Sequence, residues 1–124
     1  MSANTDALAW ARAELAAAYA DRRHGNEGRA RVRARRIAGA LATEYLRRQG
    51  QSHPYGQNAL RILQHLWKRP ELSGRTRLAL THLLMKVDTN FRLPPGVDLL
   101  HDVQVLAREL LGEDLHPTAE EEAA

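Results

Sequence analysis

The sequence predicts an all-α fold, a compact bundle of about five helices in a single domain over residues 1–112, with an acidic tail over residues 113–124. Apolar residues make up 44% of the 124 residues, and most are leucine or alanine, whereas aromatic residues contribute only 5%. Such a composition favours helices, because β-branched and aromatic residues are the types enriched in strands. The apolar side chains recur at helical spacing, and no segment alternates as a strand does.

The first helix is predicted over residues 4–23, with Asn4 or Thr5 as its N-cap. Its apolar stripe follows the i, i+3, i+4, i+7 spacing and comprises Leu8, Ala11, Leu15, Ala18 and Tyr19. Trp10 points away from this stripe. We expect the helix to end at residues 24–26, which include a glycine and an asparagine.

The second helix is predicted from Glu27 to Gln49 and ends at Gly50. Its buried side comprises Ala30, Ala34, Ile37, Leu41 and Tyr45. The small residues on this side favour close approach of a neighbouring helix. Turn-forming residues over 51–56 then separate this helix from the next one.

Two further helices are predicted over residues 57–68 and 74–88, the second of them capped by Ser73. The inward side of the first comprises Ala59, Leu60, Leu63, Leu66 and Trp67. In the second, one apolar face comprises Leu80, Leu83, Leu84 and Val87. Leu78 and Met85 lie on roughly the opposite face. Apolar residues on two sides predict that this fourth helix lies centrally in the bundle.

The fifth helix is predicted over residues 97–111, with Asp98 as a capping residue and Gly112 at its end. Its broad apolar face comprises Leu99, Leu100, Val103, Leu106, Ala107, Leu110 and Leu111. Because a terminal helix needs less apolar surface than this, helix 97–111 is also the predicted contact for a homodimer or a protein partner. The tail over 113–124 is predicted to be disordered.

The charge of the chain is positive and unevenly distributed. The formal net charge is +3, but five of the 15 acidic residues follow Gly112, so the helical part carries 10 acidic and 18 basic side chains. Sixteen of the 18 basic residues are arginine, whose planar guanidinium matches phosphate and carboxylate groups. A GC-rich genome, which favours arginine and alanine codons, is the alternative explanation.

The second helix carries what we call the arginine stripe: Arg29, Arg33, Arg36 and Arg47 share one of its faces. Arg29 and Arg36 are about 10 Å apart along the helix axis, a spacing that suits neighbouring phosphates of one nucleic-acid strand. Within reach, the sequence offers only Glu27 and Glu44 to relieve the repulsion. With the preceding arginines, the predicted binding site comprises Arg22, Arg23, Arg29, Arg33, Arg36 and Arg47.

These observations predict a small, basic, non-enzymatic protein that binds nucleic-acid backbone as an accessory subunit of a nucleoprotein complex. In size and character the chain is similar to the small helical subunits of CRISPR effector complexes, which exemplify this class. Trp10 and Tyr55 are candidates for stacking on bases. The segment 68–73 between the third and fourth helices resembles a helix-turn-helix turn but lacks its usual glycine.

Other interpretations of the stripe remain open. It is a face that is merely solvated, or its arginines pair with acids of other helices or of the acidic tail. It is otherwise the contact of an adaptor, immunity or inhibitor protein with an acidic protein surface.

Catalytic and metal-binding patterns are absent from the sequence. The chain has no cysteine, no nucleophile elbow and no phosphate-binding loop, and its six histidines form no i, i+4 pair. Asp98 and His101 stand at i, i+3, but no acids at matching spacing complete a bundle metal site. We therefore expect no enzyme activity, cofactor or metal.

No apolar stretch reaches the ~20 residues of a membrane span, and residues 1–6 lack signal-peptide order. The sequence thus predicts a cytoplasmic protein with no membrane partner.

Overall fold

The computed structural model describes residues 3–86 and 92–115. Five helices occupy these ranges, and no strand occurs within them. They are α1 (Ala3–Arg23), α2 (Glu27–Arg48), α3 (Ala59–Trp67), α4 (Gly74–Leu84) and α5 (Leu99–Leu111). The predicted all-α bundle is confirmed. The predicted disorder of the tail falls largely on residues 116–124, which lie outside the described residues.

Side-chain caps fix where four of the helices begin. The first-turn N–H groups of α2 to α5 each find a side-chain oxygen of the residue before the helix, namely Asn26, Asn58, Ser73 and Asp98. Such a cap stabilises a helix by about 1 kcal/mol. The predicted caps Ser73 and Asp98 are confirmed. At the other end of α5, Gly112 adopts φ 67°, the left-handed conformation that ends helices and suits glycine.

Helix α2 lies at the centre of the bundle and contacts all four other helices. Four alanines on its buried side are fully buried and let neighbouring helices approach closely: Ala30, Ala34, Ala38 and Ala42. Helix α1 packs along α2 as an antiparallel hairpin partner through the predicted stripe, of which Leu8, Ala11, Leu15 and Ala18 are buried. The apolar face of α5 is also buried, against α2 and α4. The leucines on which the predicted homodimer contact was based therefore pack against other helices of the same chain.

The prediction that the fourth helix is central is wrong. Helix α4 packs mainly against α5 and α3, and Leu78 on its outer side is 57% exposed. The helix also ends at Leu84, short of the predicted residue 88, because Met85 is extended with ψ 142°. Arg35 of α2 donates hydrogen bonds to the carbonyls of Leu83 and Met85 and satisfies them where the helix ends.

The predicted inward face of the third helix is also partly wrong. Leu60 and Trp67 are 51% and 41% exposed, whereas Ile62 is buried together with Leu63 and Leu66. Short helices have few core contacts to fix their rotation, and α3 is only 9 residues long. Trp67 instead packs at the surface, where its indole N–H donates to Thr81.

The packed part of the chain extends beyond the predicted boundary at residue 112. Leu115 is fully buried in the core, and Arg12 of α1 donates hydrogen bonds to the backbone carbonyl of Asp114. The helical unit therefore reaches at least residue 115. None of the helices in the described ranges combines the length and the apolar character needed to cross a bilayer.

Candidate nucleic-acid interface

The outward face of α2 carries three residues of the arginine stripe. Arg29, Arg36 and Arg47 are exposed, together with Val32 and Thr43 between them. These positions lie opposite the buried alanines, so the core fixes which way the face points. The helix is therefore docked and still presents arginines to solvent, as the sequence predicted.

Arg33 does not belong to this outward face. It lies on the edge of α2 that faces α1, where its Nε donates to Asp21 at 2.7 Å and its Nη1 to Glu14 at 3.0 Å. These hydrogen bonds, chiefly the one to Asp21, raise the pKa of Arg33 above its usual value. The expectation that only Glu27 and Glu44 reach the stripe is therefore wrong. Glu14 and Asp21 stand two turns apart on α1, at a spacing that aims both carboxylates at α2.

Arg22 is likewise neutralised inside the chain. Its guanidinium donates to Glu27 of α2 at 2.8 Å and to Asp98 at 2.9 Å. The pKa of Arg22 is strongly raised, first by the hydrogen bond to Glu27. Asp98 also caps α5, so this one arginine ties α1, α2 and the start of α5 together. Arg22 and Arg33 therefore connect helices of the bundle, and we do not include them in the candidate interface.

Arg47 is anchored and yet accessible. Its Nε and Nη2 donate to the carboxylate of Glu44 at 2.8 and 2.7 Å, and Arg48 donates to the same carboxylate at 3.0 Å. Glu44 is only 5% exposed, and the hydrogen bond from Arg47 is the main reason that its pKa lies below the usual value. The side chain of Arg47 remains 54% exposed. Two arginines on one carboxylate leave this cluster with a net positive charge.

Three of the six predicted arginines have no salt bridge to a carboxylate within residues 6–86 and 92–115. They are Arg23 at the end of α1 and Arg29 and Arg36 on α2, and all three are exposed. Within the described ranges, carboxylates thus pair with Arg22 and Arg33 at the helix contacts and with Arg47, whereas Arg29 and Arg36 on the outward face have no salt bridge. This division was not visible in the sequence, because the partners of Arg22 and Arg33 include residues of other helices.

A groove lies beside the outward face, where α1, α2 and the start of α3 meet. We call it the Trp10 groove; its volume is about 850 Å³. Its polar and aromatic lining comprises Trp10, Arg36, Thr43, Glu44, Arg47 and Gln57. Its apolar lining comprises Ala7, Ala40, Ala59 and Ile62. The sequence prediction that Trp10 points away from the core is confirmed, since 44% of this residue is exposed.

Close contact between α2 and α3 shapes the floor of the Trp10 groove. A Cβ placed on Gly39 would lie 3.1 Å from the Cβ of Ala59, so a larger residue there would require α2 and α3 to move apart by a few tenths of an ångström. The N-terminal end of α3 carries partial positive charge, and it opens toward a groove flanked by Arg36 and Arg47. The one sequence signal for this arrangement is a glycine in the middle of a long helix.

Tyr55, the other predicted stacking residue, is already packed. Its ring lies 5.8 Å from the ring of His53 in a stacked arrangement and 5.8 Å from the ring of His65 in a tilted one. The side chain is half-buried. Tyr55 therefore belongs to the loop before α3 and is not part of the candidate interface.

A second cavity of about 610 Å³ lies between α4 and α5 and has mixed charge. His82 Nδ1 lies 3.1 Å from Asp102, and burial raises the pKa of Asp102 above its usual value. Arg75 and Arg108 line the same cavity. Of the predicted i, i+3 pair, Asp98 is engaged by Arg22 and by the α5 backbone. Within the described ranges, no three histidine, aspartate or glutamate side chains come together as a metal site.

The candidate interface is thus the outward face of α2 with the adjoining Trp10 groove. It combines unpaired arginines, one anchored arginine and an exposed indole. A comparison with family models, curated proteins and solved structures found no match for this chain.

Proposed function

We propose that this chain is a non-enzymatic protein that binds nucleic-acid backbone through the outward face of α2, as an accessory subunit of a nucleoprotein complex. One observation carries the proposal. Carboxylates of the chain neutralise Arg22 and Arg33, whereas the exposed Arg23, Arg29 and Arg36 have no salt bridge within the described residues. A polyanion is the partner that relieves the remaining repulsion.

The spacing of the arginines fits a phosphate backbone. At a rise of 1.5 Å per residue, Arg29 and Arg36 are about 10 Å apart along α2, and Arg36 and Arg47 about 16 Å. Contacts of this kind position a protein on nucleic acid but do not read its sequence. We therefore expect binding that depends steeply on salt and little on base sequence.

The lining of the Trp10 groove supports a binding role over a catalytic one. Among the described residues that line it, the only carboxylate is that of Glu44, which two arginines hold in the ionised form. No histidine of residues 6–86 and 92–115 lines the groove. A general acid or base needs a pKa near the working pH, and the lowered pKa of Glu44 takes it away from that range.

Fluorescence anisotropy with labelled oligonucleotides tests the proposal. The double variant Arg29→Gln/Arg36→Gln removes two unpaired arginines, and we expect it to weaken binding by about tenfold at moderate salt. Arg33 stays unchanged because its substitution would disturb the contact of α1 with α2. The matched control is Arg75→Gln/Arg108→Gln, which removes the same charge from the α4–α5 cavity.

Two results would contradict the assignment. Equal losses in both double variants would mean that only the net charge matters, and no binding by the unchanged protein would end the proposal. An adaptor for an acidic protein surface would then be favoured if a partner stays bound to the protein after nuclease treatment.

A further inference from the structure

We propose that the Trp10 groove holds an unpaired nucleobase stacked on Trp10, so that the ligand of this protein is single-stranded nucleic acid. This inference rests on the proposed function and narrows its ligand class. Three observations support it: the indole of Trp10 is exposed, the groove has room and an apolar lining for a base, and two arginines line the groove.

The two tryptophans of the chain differ in what they contact. Trp67 is 41% exposed, but its ring lies 5.2 Å from the guanidinium of Arg77 and its N–H donates to Thr81. Trp10 is similarly exposed, at 44%, and has no ring contact or side-chain hydrogen bond within the described residues. An exposed indole that makes no ring contact or hydrogen bond within the described residues is available as a stacking surface.

The groove beside Trp10 has room and surface for a base. Its volume of about 850 Å³ falls within the ~300–1,000 Å³ typical of small-ligand sites. The apolar lining comes from Ile62 and from the small side chains of Ala7, Ala40 and Ala59, which leave room for the face of an aromatic ring. The Thr43 hydroxyl already contacts Gly39 and His53. The exposed amide of Gln57 is thus the lining group that remains to contact the edge of a base.

Two arginines of α2 that line the groove favour a base that belongs to a phosphate chain. Arg36 has no salt bridge within the described residues, and Arg47 is held in place by Glu44 with more than half of its side chain exposed. Trp10, Arg36 and Arg47 line the same groove, so a strand that contacts both arginines has the indole within the same binding surface. In a duplex the bases are stacked and paired, and extruding one costs a few kcal/mol. Single strands reach this geometry without that cost.

The test distinguishes binding through bases from binding through phosphates. The ligands are a short oligothymidylate, an abasic phosphodiester of the same length, a duplex, and poly-glutamate as a polyanion without phosphate. We expect the unchanged protein to bind oligothymidylate most tightly. Trp10→Ala should weaken that binding by about 5-fold to 150-fold, the range of one base–aromatic stack. It should leave the abasic and duplex affinities within about twofold, because their phosphate contacts are unchanged. Trp10→Phe, which keeps an aromatic face, should restore most of the affinity.

A spectroscopic readout reports on Trp10 directly. In a Trp67→Phe background Trp10 is the only tryptophan, since the chain has two. Oligothymidylate should quench its fluorescence, and the abasic ligand should not. Since only 44% of Trp10 is exposed, the melting temperature of each Trp10 variant checks that the bundle stays folded at the temperature of the titration.

The possible failures are distinguishable. If Trp10→Ala weakens all nucleic-acid ligands equally, or none of them, the base site is overturned. The proposed function survives that result as long as Arg29→Gln/Arg36→Gln still loses binding. Tighter binding of poly-glutamate than of oligothymidylate overturns both proposals in favour of an acidic protein partner, and no binding of any nucleic acid overturns both as well.

Discussion

Arg33 and Arg36 are separated by less than one turn of α2, and yet they have opposite environments. Arg33 contacts two carboxylates of α1, whereas Arg36 lies exposed beside the Trp10 groove. The residue type is the same, so the difference comes from the face of the helix and from what packs against that face. A mutation at each position therefore tests a different property of the protein.

We expect Arg33→Gln to lower the free energy of unfolding by about 1 kcal/mol, because it leaves Glu14 and Asp21 facing each other without a cation. Arg36→Gln should change it by less than about 0.5 kcal/mol. Urea unfolding followed by circular dichroism measures both. A larger loss from Arg36→Gln than from Arg33→Gln would contradict the assignment of these two roles.

The two buried acids, Glu44 and Asp102, should respond to pH in opposite directions. The pKa of Glu44 is lowered in the folded protein, so its contribution is present above its ordinary pKa of 4.5 and is lost as the pH falls below that value. The pKa of Asp102 is raised by burial, which outweighs the opposing effects of His82 and His101. Its ionised form therefore disfavours the folded state, and stability is lost as the pH rises above 3.8 toward and through the raised pKa.

Two variants measure these contributions. The stability advantage of the unchanged protein over Glu44→Gln should be about 1 kcal/mol at neutral pH and should shrink as the pH falls below 4.5. Relative to Asp102→Asn, the unchanged protein should lose stability as the pH rises from 3.8 toward neutrality. Urea titrations over this pH range give both stability differences. If the two differences change with pH in the same direction, the environments assigned to Glu44 and Asp102 are contradicted.

At the scale of the helices, Gly39 sets how close α2 and α3 come. An alanine there would place its Cβ 3.1 Å from the Cβ and 3.2 Å from the Cα of Ala59. Separation of the helices costs about 1–3 kcal/mol, which exceeds the gain of up to about 1 kcal/mol from better helix propensity. We expect Gly39→Ala to be destabilising by about 1 kcal/mol overall.

Gly28 offers a matched control on the same helix. A Cβ at this position meets nothing within 4 Å, so the substitution changes stability only through the higher helix propensity of alanine. Gly28→Ala should therefore raise the free energy of unfolding by a few tenths of a kcal/mol, up to about 1 kcal/mol. If chemical denaturation gives the same sign for both substitutions, Gly39 does not limit the α2–α3 distance.

The helices themselves were well predicted from the sequence, and their packing was predicted less well. Local signals carry the caps at Ser73 and Asp98 and the buried stripe of α1, because these depend on residues within one or two turns. The outward faces of α3 and α4 depend on neighbours distant in the sequence, such as Gly39 against Ala59. Apolar residues on two sides of α4 suggested a central helix, but Leu78 is exposed.

At the scale of the whole molecule, the division between structural and unpaired arginines is a tertiary property. The sequence correctly predicted that Arg29, Arg36 and Arg47 share an exposed face of α2. It could not assign Glu14, Asp21 and Asp98 as partners, because α1 and α5 bring these acids to α2 only when the bundle is assembled. The Trp10 groove could not be predicted from the sequence for the same reason, since residues of three separate helices line it.

The salt dependence of binding counts how many of these arginines contact phosphate. For a single strand, the slope of log K against log[salt] is about −0.7 per phosphate neutralised. If Arg29, Arg36 and Arg47 each contact one phosphate, the unchanged protein should give a slope near about −2, and each single substitution to glutamine should reduce its magnitude by about 0.7. Arg75→Gln should leave the slope unchanged, because this exposed residue lines the α4–α5 cavity. Anisotropy titrations at four or more salt concentrations give the slopes. Equal reductions from Arg36→Gln and Arg75→Gln would mean that the whole charged surface, and not the outward face of α2, attracts the strand.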